Sequence, residues 1–253
     1  MNRYDIYASV GGTSPAHDAA LNITPNVRTT QLPFETESLR TELTRFLNHA
    51  QIFSDGHQRR LGGITWGVYA FFDYDDEPIY VGQTKESLGT RIRRHLTNQR
   101  TDAVAMNVLD PFEVHTIEVW PLPQFEGVSA GNADAVRHLN ALEAQVHNFL
   151  LSQSVFGAVL NEKDPPTPTI AVPFPDSYRG RIVSAEVSRL RDHPDLRLAR
   201  RALTLAKLAQ VISERKVQLG LRRTLLAQAT RLQRLASERL LRNATELPDS
   251  EAD

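Results

Sequence analysis

The pattern of apolar and polar positions predicts a helix followed by a β-hairpin in the first half of the chain. In SLRTELTRFLNHA the apolar residues recur at helical spacing, which predicts a helix ahead of the first strand. The run GGITWGVYAFFDY is rich in β-branched and aromatic residues, the acidic DDE follows it, and PIYVG forms a second such run. Two β-rich runs joined by a short polar turn are typical of an antiparallel hairpin.

The pattern continues with a helix, a strand and another helix. Leu88, Ile92 and Leu96 recur every four residues and mark one face of a helix. A third strand is predicted in FEVHTIEVWPL, and a further helix in ADAVRHLNALEAQVHNFLL, which has its own apolar stripe. This order predicts an α+β module over residues 63–163, with a central antiparallel three-stranded sheet flanked by helices. Residues 1–62 are expected to form an irregular arm and the leading helix.

The spacing of prolines and leucines separates the module from a helical tail. DPPTPTIAVPFPD holds five prolines in thirteen residues, a composition that excludes a continuous helix and predicts a linker over residues 164–178. Beyond it, apolar residues spaced by seven predict a basic helical hairpin or one long helix over residues 179–245. Residues 246–253 are expected to form a short acidic tail.

Charge is distributed unevenly, although the chain has a net charge of only −1. Between residues 179 and 243 there are 16 Lys or Arg and 5 Asp or Glu, so this segment carries +11 and the remainder carries −12. Three roles suit such a segment, and its sequence does not separate them. These roles are binding to the phosphates of DNA, formation of a homo-oligomer through the apolar stripe of the segment, and packing on the chain's own acidic surface.

Composition excludes several kinds of chemistry. The chain has no cysteine, which excludes disulfides, thiolate catalysis and cysteine-ligated zinc, so a metal must be bound by oxygen or imidazole ligands. The sequence has no apolar run of membrane-spanning length and no signal-peptide pattern. We therefore expect a cytoplasmic protein that does not contact a membrane.

Two short strand motifs and the helix after them carry the candidate chemistry. Tyr69 closes GVY and Tyr80 opens YVG, with ten residues between them. Arg91 and His95 share one edge of the following helix because they are four positions apart. A tyrosine in a strand and an arginine on a helix are each common structural residues, so neither alone predicts a function.

The order of these residues resembles the GIY-YIG nuclease family. GVY and YVG stand where that family has its two name-giving motifs, with valine in place of isoleucine in both. The family's helix arginine falls on Arg91, and its common partner one turn later falls on His95. The family's metal-binding glutamate falls on Glu143 in LNALEAQVH, and its asparagine falls on Asn161 in VLNEK, after an interval that includes an additional segment.

The resemblance implies phosphodiester hydrolysis. It makes Tyr69 the residue that activates water, with His95 as proton relay, and makes Tyr80 a second hydroxyl that orients water or phosphate. Arg91 would bind the phosphate, and Glu143 would anchor Mg²⁺ or Mn²⁺, since such a cation needs only one or two protein carboxylates. The implied catalytic set is Tyr69, Tyr80, Arg91, His95, Glu143 and Asn161.

The substrate implied by the resemblance is DNA. Arg93, Arg94 and Arg100 add positive charge beside the expected phosphate position and are candidate DNA-binding residues. The first hypothesis is a metal-dependent DNA endonuclease of the restriction or phage-defence type. Two alternatives remain, namely a non-catalytic nucleic-acid-binding or assembly protein with the same fold, and a nuclease for single-stranded or branched DNA.

Overall fold

The computed structural model describes residues 34–54, 56–97, 109–161, 165–214, 217 and 219–246. Its helices are α1 (Phe34–His49), α2 (Leu88–Thr97), α3 (Ala133–Gln153), α4 (Ala185–Arg191), α5 (Pro194–Glu214) and α6 (Leu219–Glu246). Its strands are β1 (Gln51–Ser54), β2 (His57–Arg60), β3 (Gly67–Phe72), β4 (Pro78–Thr84), β5 (Thr116–Pro121) and β6 (Tyr178–Arg181). Among the helices described, none is long and apolar enough to cross a bilayer.

The strands form two antiparallel sheets. β1 and β2 pair as a small sheet, and the other strands form a four-stranded sheet in the order β4-β3-β5-β6. β3 and β4 are the predicted hairpin. Every residue of β3 is buried, as expected for a central strand, whereas β4 and β6 lie at the two edges.

The prediction of a three-stranded sheet is wrong by one strand. β6 pairs with β5, with Tyr178 opposite Val119 and Arg181 opposite Thr116, and it crosses the predicted boundary between linker and tail. Its sequence YRGR has no run of β-branched residues and includes a glycine, so it gives no strand signal of its own. The strand forms because β5 offers it an edge to pair with.

The side chains of β3 alternate between two cores. Tyr69 and Phe71 lie in a core that they share with apolar residues of α1 and α2. Val68 and its alternate neighbours lie in a second core with apolar residues of α3. Leu208 of α5 and Leu221 of α6 join the first core. The tail helices are therefore packed into the same core as the motif tyrosines.

Buried ion pairs fix the tail helices to the acidic end of the hairpin. Asp73, which is 1% exposed, accepts hydrogen bonds from Arg201 of α5 at 3.0 Å and from Arg231 of α6. Arg197 donates two hydrogen bonds to Asp75, one of them 3.0 Å long. Of the three roles that the sequence left open for the basic segment, packing on the chain's own acidic surface is the one seen in these contacts.

Candidate active site

Tyr69 and Tyr80 lie near each other on neighbouring strands. In the register of β3 and β4, Tyr69 is opposite Gly82 and Tyr80 is opposite Phe71. The centroids of the two phenol rings are 6.3 Å apart. Tyr69 is fully buried and Tyr80 is 7% exposed. The hairpin therefore brings the tyrosines of both sequence motifs into one cluster.

The glycine of the second motif is required by this arrangement. A Cβ atom on Gly82 would lie 2.6 Å from the hydroxyl oxygen of Tyr69 and 2.9 Å from the ring of Tyr80. Both distances are shorter than an ordinary van der Waals contact. The absence of a side chain at Gly82 thus lets the hydroxyl of Tyr69 reach over the neighbouring strand.

His95 adds an imidazole to the tyrosine cluster. It lies on α2 and is fully buried. Its ring centroid is 5.8 Å from that of Tyr69 and 5.4 Å from that of Tyr80. Leu88, Ile92 and Leu96 are buried on the same helix, so the apolar stripe of α2 turns this edge of the helix towards the sheet.

The positive charge of Arg91 acts on the carboxyl group of Glu143. Glu143 is half-buried on α3, and burial raises the pKa of its carboxyl to about 7, an effect that the positive charge of Arg91 partly offsets. Arg91 is half-buried on α2, one helical turn before His95. The field of Arg91 therefore reaches Glu143 from the helix that carries His95.

A hydrogen bond that the sequence reasoning missed ties α3 to the edge strand. The side-chain amide of Gln83 donates to Oδ1 of Asn140 at 2.9 Å. Gln83 directly follows the motif glycine, and Asn140 is three positions before Glu143 on the same side of its helix. The bond therefore sets the position of Glu143 along β4. The only feature of the sequence that points to this hydrogen bond is the i, i+3 spacing of Asn140 and Glu143 on α3.

Asn161 binds the free edge of β4. Its Oδ1 accepts a hydrogen bond from the backbone N–H of Val81 at 3.1 Å, and its Nδ2 donates to the Val81 carbonyl at 2.7 Å. Thr224 of α6 donates to the backbone carbonyl of Asn161 at 3.3 Å. Since Val81 follows Tyr80, these bonds hold the strand segment that carries the second motif tyrosine.

The three predicted DNA-binding arginines differ in their surroundings. Arg94 forms an ion pair with Glu86, for which a DNA phosphate would have to compete. Arg93 is half-buried, and a Cβ atom on Gly89 would lie 3.0 Å from its guanidinium. Arg100 lies outside the described residues.

The residues of the site fit a hard divalent cation. Among the described residues, no group of three or more His, Cys, Asp or Glu side chains is arranged to hold a metal ion. A Mg²⁺ site, however, needs only one or two protein carboxylates, because water and substrate phosphate supply the other ligands. Glu143 suits that role because burial disfavours its negative charge, and a bound cation would offset this cost.

Comparison with protein families gives a result that agrees with this geometry. Residues 65–124 match the GIY-YIG catalytic domain. The match spans β3, β4, α2 and β5, so it includes both tyrosine motifs and the polar residues of α2, whereas Glu143 and Asn161 lie beyond it. No curated protein and no solved structure matches the chain.

The resemblance carried by the two tyrosine motifs is therefore confirmed. The match covers 60 of the 253 residues, and the matched domain is that of a family of nucleases, which are hydrolases with DNA as the implied substrate and a general use of divalent metals.

Proposed function

We propose that the protein is a metal-dependent DNA endonuclease that hydrolyses phosphodiester bonds. One observation carries the proposal. The rings of Tyr69, Tyr80 and His95 lie within 6.3 Å of one another between centroids, and Arg91, on the helix that carries His95, acts through its charge on Glu143. A binding platform needs neither a buried imidazole between two tyrosines nor a partly buried carboxylate, so the arrangement favours turnover over binding alone.

The enclosed part of the site supplies the proton chemistry. Tyr69 takes a proton from the attacking water, and His95, with its ring centroid 5.8 Å from that of Tyr69, passes the proton on. A tyrosine hydroxyl becomes an effective base only where cationic neighbours favour its phenolate, and we assign that role to Arg91, which lies one helical turn before His95 on α2. Tyr80 orients the water or a phosphate oxygen through its hydroxyl.

The phosphodiester approaches the site from the side of Arg91 and Glu143. Both residues are half-buried, whereas Tyr69 and His95 are enclosed. Arg91 presents its planar guanidinium to the phosphate oxygens. Glu143 would hold Mg²⁺ or Mn²⁺, and such a cation, when bound, would supply positive charge that stabilises a phosphodiester undergoing hydrolysis. Asn161 acts as a positioning residue, because both polar atoms of its side chain are bonded to β4.

Nicking of a supercoiled plasmid tests the proposal. Wild type should nick the plasmid with Mg²⁺ and not with a chelator. Tyr69→Phe should lower the nicking rate by about a hundredfold or more, because it removes the hydroxyl that takes the proton from water and leaves the rest of the side chain in place. Tyr178→Phe is the matched control, since that tyrosine lies on β6, outside the cluster. Nicking by Tyr69→Phe at the wild-type rate would remove this residue from the mechanism.

The non-catalytic alternative predicts a different result from the same protein. Wild type would bind duplex, single-stranded and branched DNA tightly and cleave none of them. Cleavage of only single-stranded or branched DNA would instead support the alternative nuclease. A role in restriction or phage defence rests on the family resemblance and stays a prediction.

Self-association through the C-terminal helices also stays a prediction. Leu219, Leu226 and Leu240 of α6 are spaced by multiples of seven and are 66%, 69% and 70% exposed, which supports it. Sedimentation velocity of wild type against Leu226→Glu measures it. A single monomeric species for both proteins would reject it.

A further inference from the structure

The two-stranded ribbon formed by β1 and β2 has one face turned towards the protein and one face turned away from it. Ile52 is opposite Arg59 in this ribbon, and Phe53 is opposite Gln58. Residues opposite each other in an antiparallel pair share a face, and neighbours along a strand alternate between faces. Ile52 is 5% exposed and Arg59 is half-buried, so their face packs on the protein.

The outward face of the ribbon, which we call the ribbon face, consists of Gln51, Phe53, Gln58 and Arg60. Phe53 is 75% exposed, the highest value among the large apolar side chains that the structure describes. Gln58 and Arg60 are also exposed. The ribbon precedes residues 65–124, so the matched catalytic domain does not account for it. An aromatic ring held in water on a paired strand suits contact with a ligand better than a role in the core.

The charge of the ribbon suits a polyanion. Its paired residues, QIFS and HQRR, include two arginines and a histidine and no carboxylate. The ribbon face itself adds two side-chain amides to the guanidinium of Arg60. These polar groups are of the kinds that bind the edges of nucleic-acid bases.

The end of the ribbon is joined to the helix that carries Arg91. The turn Leu61–Gly63 follows β2 directly. A Cβ atom on Gly89 of α2 would lie only 2.9 Å from the carbonyl oxygen of Gly62. The backbone N–H of Leu88 donates to the Ile64 carbonyl at 2.8 Å. These contacts fix the ribbon relative to the first turn of α2.

The ribbon is within reach of a DNA molecule at the catalytic site. Arg60 is two residues before Gly62, and Arg91 is two residues after Gly89. With Gly62 and Gly89 in contact, the Cα atoms of Arg60 and Arg91 are at most about 20 Å apart. One turn of duplex is about 34 Å long, so a single DNA molecule can contact both.

We propose that the ribbon face enters the major groove of the DNA substrate and selects the sequence on which the nuclease acts. The major groove is about 12 Å wide and admits a two-stranded β-ribbon. Arg60 donates paired hydrogen bonds to guanine, Gln58 bonds to the donor and acceptor of adenine, and Phe53 contacts the methyl group of thymine. The proposal rests on the proposed function, because its ligand is the DNA that the nuclease cleaves.

Selection of bound duplexes from a randomised library tests the proposal. The parent is the full chain with Glu143→Gln, so that DNA is bound and not cleaved. Phe53→Ala with Arg60→Gln alters the ribbon face. Phe34→Ala with Arg40→Gln is the matched control, because both residues are exposed on α1 and the changes in residue type are the same. Sequencing gives the preferred duplex, and fluorescence anisotropy compares the affinity for that duplex with the affinity for a scrambled one.

The parent and the control should enrich one sequence and bind it more tightly than the scrambled duplex. The ribbon variant should lose about tenfold or more of that affinity ratio, because base contacts and not phosphate contacts are removed. A parent that enriches no sequence, or a ribbon variant that keeps the ratio of its parent, would overturn the proposal. A kept ratio with a smaller species in sedimentation velocity would also overturn it and would mark the ribbon face as a contact between copies of the chain.

A single substitution keeps the test open if the double variant is unstable. Should Phe53→Ala with Arg60→Gln lower the melting temperature, Gln58→Ala carries the test, because Gln58 is exposed and its loss should relax the preference at one base pair. An unchanged preference in folded Gln58→Ala would then overturn the proposal.

Failure of the ribbon and failure of the nuclease are separable. Plasmid nicking by the chain with Glu143 intact reports the nuclease, and library selection reports the ribbon. A wild-type chain that does not nick, but whose ribbon variant loses the sequence preference of its parent, would reject the endonuclease and leave the ribbon as a DNA-reading element. A chain that nicks, but whose Glu143→Gln parent enriches no sequence, would do the reverse.

Discussion

Replacing Glu143 by glutamine should make the protein more stable at neutral and alkaline pH. Burial raises the pKa of Glu143 from an ordinary value of 4.5 to about 7 in the folded protein. A carboxyl with a raised pKa contributes stability that is fully present below pH 4.5 and is lost as the pH rises towards 7. The loss is at most about 3 kcal/mol, at about 1.4 kcal/mol for each unit of pKa. The uncharged Glu143→Gln does not incur this loss.

Urea unfolding at pH 5 and pH 8, without divalent cations, measures the effect. The gain in the free energy of unfolding of Glu143→Gln over wild type should be about 2–3 kcal/mol larger at pH 8 than at pH 5. Glu37→Gln, an exposed position on α1, is the control and should show no such difference. Added Mg²⁺ should stabilise wild type more than Glu143→Gln. An equal gain at both pH values would refute the argument that the ionised carboxylate is disfavoured by burial.

Three further changes test other parts of the structure. Gly82→Ala should lower the free energy of unfolding by about 1–3 kcal/mol in urea unfolding and reduce nicking, because its Cβ would lie 2.6 Å from the Tyr69 hydroxyl; wild-type values for both would contradict this. Asp73→Asn should cost about 3–5 kcal/mol because it leaves Arg201 and Arg231 buried without their carboxylate, whereas Asp76→Asn, at an exposed pair, should cost less than about 1 kcal/mol. Equal melting temperatures for the two aspartate variants would show that the buried ion pairs do not hold the tail. Asn161→Ala should lower the nicking rate at saturating DNA and leave DNA affinity unchanged, and a selective loss of affinity would make Asn161 a DNA contact.

The parts of the fold that sequence predicted are those with local signals. The hairpin of β3 and β4 needs only two β-rich runs and a short turn, and α2 needs only an apolar period of four. The same local signals placed Arg91 and His95 on one edge of α2. The contact of His95 with both tyrosines follows from the packing of that helix on the sheet.

The parts that sequence did not predict depend on contacts between distant residues. β6 has no strand signal and exists because β5 pairs with it. The bond between Arg231 and Asp73 joins residues 158 positions apart, and no periodicity records such a pair. The net charge of residues 179–245 left three roles open for this segment, because it gives the number of arginines and not the carboxylates with which they form ion pairs. The role of Gly82 likewise appears only once the Tyr69 hydroxyl is placed above it.

The most direct test of the central claim is the rate at which Glu143→Gln nicks supercoiled plasmid in Mg²⁺, measured beside wild type on preparations shown to be folded and to bind DNA equally. Wild type should nick the plasmid, and the variant should be slower by about a hundredfold or more because the carboxylate that holds the cation is gone. Nicking by folded Glu143→Gln at the wild-type rate would contradict the proposed site.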